Sequence, residues 1–171
     1  MRNTWCVMPF PDGGTLLNSN PIIAFAATTD PTRAKEFYGK ILGLRLVGED
    51  GFAIEFDAGG TMLRVTPVRA HKAAAYTILG WIVQNIDWSI RDLMSRGIVF
   101  CRYDGLEQDK LGVWKSPSNA KIAWFHDPDG NTLSLTEFAR PKKKSKPGIP
   151  KRRLTGARSG NSKRKTTNKR R

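Results

Sequence analysis

The sequence contains one succession of predicted elements twice, and this internal repeat constrains the fold more than any other feature. Residues 21–68 predict a strand, a helix and three further strands, and residues 76–138 repeat this order with four predicted strands after the helix. A shift of 55 positions places Ile23 on Ile78, and a shift of 70 places Arg64 on Ser134. One such unit cannot cover its own sheet, so the sequence predicts two modules that depend on each other.

The helix of the first repeat has clear start and stop signals. Asp30 can accept hydrogen bonds from the first turn, Pro31 suits the first helical position, and Gly43 suits a left-handed end. Five apolar residues between them recur at helical spacing: Ala34, Phe37, Tyr38, Ile41 and Leu42. Strands are predicted at 44–47, 52–57 and 61–68, with a hairpin turn at Gly59 and Gly60.

The second repeat follows the same plan. A strand at 76–83 and a helix at 85–97 are followed by predicted strands at 98–103, 112–116, 120–127 and 131–138. Trp81 is predicted to pack beneath a helix, and Trp88 is also predicted to pack. The predicted fold class is α+β, with two tandem β-α-β-β-β modules that form a curled mixed sheet around a cleft.

The positive charge is concentrated at one end of the chain. The formal net charge is +14, but 15 of the 29 Lys and Arg residues lie in 140–171, which lacks Asp and Glu. We therefore predict three regions: an irregular arm at 1–20, the domain at 21–139, and a disordered basic tail at 140–171. Two interpretations of the tail are open. It contacts nucleic acid or another anionic surface non-specifically, or it is a solvated extension.

Cysteine usage and hydropathy bear on the compartment. Cys6 and Cys101 form neither a metal-binding spacing nor a disulfide framework, and free thiols fit a reducing compartment. No apolar run approaches the roughly 18 residues of a membrane span, and Pro9 and Pro11 interrupt the N-terminal apolar patch. These features predict a cytoplasmic protein without a transmembrane segment.

Several motifs, taken in order and spacing, resemble the vicinal oxygen chelate superfamily. That superfamily includes glyoxalase I, extradiol dioxygenases and bleomycin-resistance proteins. "FY" and "LGL" lie at the end of the first helix, and "DPDGN" precedes the last strand. The stretches "LGLRLV", "TILGWIV", "EQDKLGVW" and "AWFHDPDGNTLSL" are similar to small uncharacterised bacterial members. The resemblance covers about residues 21–138.

The resemblance implies where a metal would bind. In metal-dependent members, each module supplies two ligands, from its first and last strands. The corresponding positions here are Ile23, Arg64, Ile78 and Ser134. Isoleucine has no lone pair, arginine is a cation without an acceptor, and a neutral serine hydroxyl is a poor ligand. We therefore expect neither a metal nor another cofactor.

The cleft implied by the resemblance would still suit an organic ligand. Alternation along the strands also directs inward Phe25, Met62, Thr66, Gly80, Ile82, Thr132 and Thr136. The predicted ligand-binding residues are Arg64, Phe25, Ile23, Ile78, Thr66, Ser134, Thr136 and Trp114. Arg64 either anchors an anionic or polar group or pairs with a carboxylate such as Glu55. The connection at 103–119, which carries Trp114, is either a lid or a surface loop.

Three functions are compatible with these patterns. The leading hypothesis is a metal-free protein that binds or sequesters a small apolar ligand with a polar or anionic group, and that has no catalytic residues. An alternative is a metal-dependent lyase, isomerase or dioxygenase with an atypical site around Glu137, Glu55 or His126. A third is a nucleic-acid-associated protein that acts through its tail. A homodimer is one option, because the modules can pair within one chain or exchange between two.

Overall fold

A computed structural model describes residues 20–139, together with Leu17. The tail at 140–171 and nearly all of the arm at 1–20 lie outside these residues. The described chain contains two modules, each with a strand, a helix and three further strands. The four strands of each module form one mixed sheet. The predicted tandem β-α-β-β-β architecture is therefore confirmed.

The first module forms a sheet in the order β1-β4-β3-β2. Strands β1 and β4 are parallel, and the other neighbours are antiparallel. The elements are β1 (Ile23–Thr28), α1 (Pro31–Lys35), a π-helical segment (Glu36–Ile41), β2 (Arg45–Glu49), β3 (Ile54–Asp57) and β4 (Met62–Pro67).

The first helix begins and ends where its punctuation predicts. The Asp30 carboxylate accepts a hydrogen bond from the Arg33 backbone N–H at 3.0 Å, and Gly43 has a φ of 74° just past the end. The second half of the helix is π-helical, and its cap bond runs from the Leu42 N–H to the Phe37 carbonyl. Phe37 and Tyr38 are both buried as a result of this geometry.

The second module repeats the topology with the order β5-β8-β7-β6. Asn85 caps its helix, accepting from the Trp88 backbone N–H at 2.9 Å. Neither helix in the described part of the chain is long and apolar enough to cross a membrane. The elements are β5 (Thr77–Ile82), α2 (Ile86–Ser95), β6 (Trp114–Lys115), β7 (Lys121–His126) and β8 (Thr132–Glu137).

Two predictions for the second module were wrong. Residues 98–103 do not form a strand, and a single bridge joins Phe100 to Phe125. The Cys101 N–H still donates to the Trp124 carbonyl of β7 at 2.7 Å, but the Cys101 carbonyl accepts from the Gln108 side chain at 3.1 Å instead of from a strand. Trp88 is 68% exposed, since it lies two positions after the buried Ile86 and points away from the core.

One hydrophobic core joins both modules. The buried faces of the two sheets and both helices contribute to it. Tyr38 packs on Phe56 of β3 with ring centroids 5.8 Å apart, and Trp81 stacks on Phe125 at 6.5 Å. Trp81 therefore packs into the core as predicted. The opposite faces of both sheets do not take part in this core.

The "DPDGN" turn between β7 and β8 fastens the two modules together. The buried Asp127 carboxylate accepts from the Tyr38 hydroxyl at 2.7 Å and from the Asn131 amide at 2.8 Å. Asn131 also donates to the Ala27 carbonyl of β1 at 3.0 Å. Asp129 accepts from the Thr28 hydroxyl at 2.6 Å. These bonds fix the end of β1 beside the start of β8.

Candidate ligand-binding site

One face of each sheet packs on the shared core. We call the opposite face, which the sequence predicts to line the cleft, the outward face. Phe25 of β1 is 61% exposed on the outward face of the first sheet, with Ile23 beside it at 49%. On the second sheet, Ile82 at the end of β5 is 73% exposed. Apolar side chains grouped on one sheet face mark a binding surface more often than an ordinary solvent-facing surface.

A polar pair lies across the outward face of the first sheet. Phe25, Arg64 and Glu55 are register neighbours on β1, β4 and β3. The Arg64 Nε lies 3.5 Å from the Glu55 carboxylate, the one ion-pair partner that Arg64 has among the described residues. Gly48 of β2 makes room for this carboxylate, because a Cβ there would lie 2.8 Å from a Glu55 oxygen.

The structure thus contains the pairing that was one of the two alternatives for Arg64. The Arg64 Nε is buried and has no hydrogen-bond partner among the described residues, so the ion pair is loose. The Arg64 side chain nevertheless keeps 30% of its surface exposed. Glu55 therefore lies beside the Arg64 Nε without a hydrogen bond to it, and part of the Arg64 side chain remains exposed on the outward face.

Ser134 lies at the centre of the outward face of the second sheet. It pairs with Gly80 of β5 on one side and with Trp124 of β7 on the other. A Cβ at position 80 would lie 2.5 Å from the Ser134 Oγ, closer than real Cβ atoms approach other atoms. Glycine therefore leaves room for this hydroxyl in its present orientation, and Ser134 is buried.

Trp124, the register partner of Ser134, contacts two further aromatic rings. We call Tyr103, Trp114 and Trp124 the aromatic cluster. The Trp124 ring centroid lies 5.6 Å from that of Tyr103 and 6.1 Å from that of Trp114. The Trp124 indole N–H donates to the Thr77 hydroxyl at 3.1 Å. Tyr103 is 37% exposed and the two indoles are half-buried. The cluster therefore presents ring surface to solvent.

The connection before β6 is braced by its own side chains. Gln108 accepts from the Tyr103 backbone N–H at 2.7 Å and donates to the Cys101 and Gly112 carbonyls at 3.1 and 2.7 Å. Trp114, at its end, packs on the sheet through Trp124. Of the two alternatives for this stretch, the surface loop whose tryptophan packs on the sheet describes it better than a lid.

Burial affects two titratable groups at the base of this connection. Burial raises the pKa of the Cys101 thiol, and a hydrogen bond with Tyr103 only partly offsets it. Burial also raises the pKa of Tyr103, with a further contribution from Cys101. The thiol is thus protonated at neutral pH and is a weak nucleophile.

The predicted site residues divide between the two outward faces. Ile23, Phe25, Arg64 and Thr66 lie on the first sheet, and Ser134, Thr136 and Trp114 lie on the second. Ile78 departs from the expected alternation, because a β-bulge between Thr77 and Leu79 lets it pack against the core. Thr77 takes its place beside Trp124.

Sequence reasoning missed two members of the aromatic cluster. Trp124 could have been found, because alternation in β7 places it on the same face as Ile122, next to Ser134 on the neighbouring strand. Tyr103 could not, since its position depends on how the connection folds back through Gln108.

The side chains at the four superfamily metal positions do not suit a divalent cation. Ile23 and Ile78 have no donor atom, Arg64 is a cation, and Ser134 offers a neutral hydroxyl. The alternative residues are dispersed: Glu137 accepts from the Ile86 backbone N–H at 2.8 Å, whereas Glu55 pairs with Arg64. Across residues 20–139, no three His, Cys, Asp or Glu side chains are grouped closely enough to hold a metal.

Eight strands in two β-α-β-β-β modules define the vicinal oxygen chelate fold, and this chain has that fold. A superfamily member from Sphaerobacter thermophilus DSM 20745, described as glyoxalase/bleomycin resistance protein/dioxygenase, superimposes with a TM-score of 0.58 at 23% identity over 71% of this chain and 99% of its own. A protein of the same description from Nocardioides gives 0.54 at 22% over 76% and 91%.

A lactoylglutathione lyase from Agrobacterium tumefaciens has a TM-score of 0.52 at 18% identity, over 69% of this chain and 93% of its own. No protein-family model and no curated protein matches the sequence. At these identities the likeness establishes the fold alone.

Proposed function

We propose that this protein binds or sequesters a small, mostly apolar molecule that carries a polar or anionic group, and that it does so without a metal. The observation that carries the proposal is the make-up of the outward faces. Where metal-dependent relatives would hold a cation, this chain has two isoleucines, one guanidinium and one hydroxyl. Binding requires a shaped surface and directed hydrogen bonds, and these residues can supply both.

Arg64 gives the proposed site its polar specificity. Its Nε lies 3.5 Å from the buried Glu55 carboxylate, and part of its side chain stays exposed. The guanidinium then acts as a directed donor for a carboxylate or carbonyl oxygen of the ligand, with Phe25 beside it as the apolar contact. We assign no catalytic residue.

We also propose that a second copy of the chain completes the binding cleft. The two outward faces lie on separate sheets, and exposed apolar residues mark each of them, Phe25 on the first and Ile82 on the second. In such a dimer, the first-module face of one chain would meet the second-module face of its partner. Both faces would then lose apolar surface from water.

Elemental analysis and a thermal-shift screen test the proposed function. We expect no stoichiometric zinc, nickel, iron or manganese, and no change in Tm on treatment with a chelator. Organic acids and small metabolites should raise Tm, because a ligand that binds only the native state stabilises it. Arg64→Gln should abolish the stabilisation by carboxylates, whereas Arg91→Gln, at an exposed position on α2, should retain it. A metal that stabilises the chain would favour the enzyme alternative.

The segregated charge favours a second candidate function. The 15 Lys and Arg residues of 140–171 form clusters without a single acidic residue. We propose that they contact phosphates non-specifically, so affinity for DNA or RNA should fall steeply with salt concentration. A chain ending at residue 139 retains every described strand and helix, and it should lose this binding entirely. Undiminished binding by the shortened chain would contradict the candidate.

A further inference from the structure

The outward face of the second sheet carries aromatic surface directly beside hydroxyl groups. Trp124 is the register partner of Ser134. Its neighbours along β7, His126 and Ile122, face Thr132 and Thr136 in the same way. Three hydroxyl-bearing residues therefore run along β8 next to the aromatic cluster; Thr132 and Ser134 keep less than a tenth of their surface exposed, and Thr136 is half-buried.

The cluster has a defined arrangement. Tyr103 meets Trp124 nearly edge-on at an interplanar angle of 83°, whereas Trp114 and Trp124 are inclined by only 34°. The Trp124 indole N–H is already bonded to Thr77, so this half-buried ring has no free donor and can contact a ligand only through its remaining ring surface. Flat π surfaces prefer other flat rings in offset or edge-to-face contact.

The position of the cluster is fixed from below and from the side. Gly80 and Ser134 form the adjoining part of the sheet, where a Cβ at position 80 would overlap the Ser134 hydroxyl in its present orientation. Gln108 holds the backbone of Tyr103, and β6 carries Trp114. Rings fixed in this way lose little conformational entropy when a ligand packs on them.

From this juxtaposition we infer that the ligand contains a flat, conjugated ring with an oxygen-bearing substituent. The ring packs on Trp124 and Trp114, and the substituent reaches the hydroxyl row of β8 or the Arg64 guanidinium of the proposed second copy. The inference deepens the proposed function and rests on it.

The test compares flat probes with their saturated counterparts. Naphthalene-2-carboxylate and decahydronaphthalene-2-carboxylate have the same charge and nearly the same outline, but only the first has a π system. Each aromatic contact favours the flat probe by about two- to tenfold. We therefore expect its Kd, measured by calorimetry on the full chain, to be at least about fivefold lower than that of the saturated probe.

Matched variants assign the preference to the cluster. Trp124→Leu and, separately, Trp114→Leu should bring the two Kd values to within about twofold, because leucine cannot stack. Trp88→Leu, which removes an exposed indole on α2, should leave the fivefold preference intact. The two variants lie on different strands, so a folding defect in one does not invalidate the other. The Tm of each variant shows whether it is folded.

Each failure has a distinct meaning. If both probes bind equally tightly and Arg64→Gln weakens both, the flat-ring inference is overturned while the proposed binding function stands. If neither probe binds at millimolar concentration, the inference is likewise overturned. The proposed function itself fails only if the wider panel of organic acids and metabolites also leaves Tm unchanged.

Discussion

The pairing of Gly80 with Ser134 shows how a single hydrogen atom at one position shapes the candidate site. A methyl group at residue 80 would overlap the Ser134 hydroxyl at 2.5 Å. We expect Gly80→Ala to lower the free energy of unfolding by about 1–3 kcal/mol, as overpacking does in other proteins. Urea denaturation measures this loss.

Two further variants test the cause of that loss. Adding Ser134→Ala to Gly80→Ala should restore much of the stability, because the overlapping oxygen is then gone. Gly51→Ala is the control, since a Cβ there would meet no atom within 4 Å. An equal loss in Gly51→Ala would show that the effect is not specific to the contact with Ser134, because lower backbone entropy in the unfolded chain would by itself favour alanine.

Asp129 makes the contact between the modules sensitive to acid. Partial burial raises the pKa of Asp129, but hydrogen bonds from Thr28 and Thr29 and the charge of Arg33 together outweigh it and hold the pKa below its ordinary value. A depressed pKa in the folded state stabilises the protein above the unfolded-state pKa, roughly 3.9. That stabilisation is lost as the pH falls through the folded-state pKa.

The corresponding experiment follows unfolding free energy from pH 7 down to pH 2. Asp129→Asn should be less stable than the parent at pH 7, and its stability should decline less steeply below about pH 4. Asp104→Asn, at an exposed loop position, should follow the parent curve. Parallel curves for Asp129→Asn and the parent would show that this carboxylate has no role in acid unfolding.

At the scale of elements, local signals in the sequence identified most helices and strands. Asp30 and Asn85 cap the helices at the predicted places, because capping is a contact between near neighbours in the chain. The predicted strand at 98–103 and the expected alternation at Ile78 failed for a different reason. In the first, the chain after Phe100 folds back onto itself through the Gln108 side chain, and the second has a β-bulge that the local sequence pattern does not indicate.

Gln108 should control the order of the connection before β6. Its side chain makes three hydrogen bonds to the backbone of this connection, so Gln108→Ala removes all three at once. We expect a loss of about 1–3 kcal/mol and faster hydrogen exchange at Tyr103, together with a shift in tryptophan fluorescence as Trp114 loosens. Glu107→Ala, at the neighbouring exposed residue, should change none of these.

At the scale of the whole molecule, the sequence predicted the fold better than the site. The repeat, the "DPDGN" turn and the superfamily resemblance indicate two modules, because each of these signals can be recognised from the order of residues in the sequence. The site depends instead on which sheet faces come together. Arg64 and Ser134 occupy equivalent positions in the repeat but lie on different sheets, and strand alternation specifies a face without specifying what lies opposite it.

The exposed apolar residues on the outward faces lead to a prediction about assembly. If a second copy completes the cleft, Phe25 is buried at the dimer interface, and Phe25→Asp should yield a monomer. A charge introduced at an apolar interface remains unpaired, which weakens association by several kcal/mol. Light scattering after size-exclusion chromatography should give twice the 19.1 kDa chain mass for the parent and a single chain mass for the variant.

The control separates a specific interface from general surface hydrophobicity. Val99 is 82% exposed but lies outside both outward faces, between the end of α2 and the bridge at Phe100, so Val99→Asp should remain dimeric. Far-UV circular dichroism should be unchanged in both variants, because position 25 is already 61% exposed within one chain. A monomeric parent would contradict the two-chain cleft. The apolar faces would then have to bind the ligand from within a single chain, and loss of ligand binding in Phe25→Asp would be the remaining sign of their role.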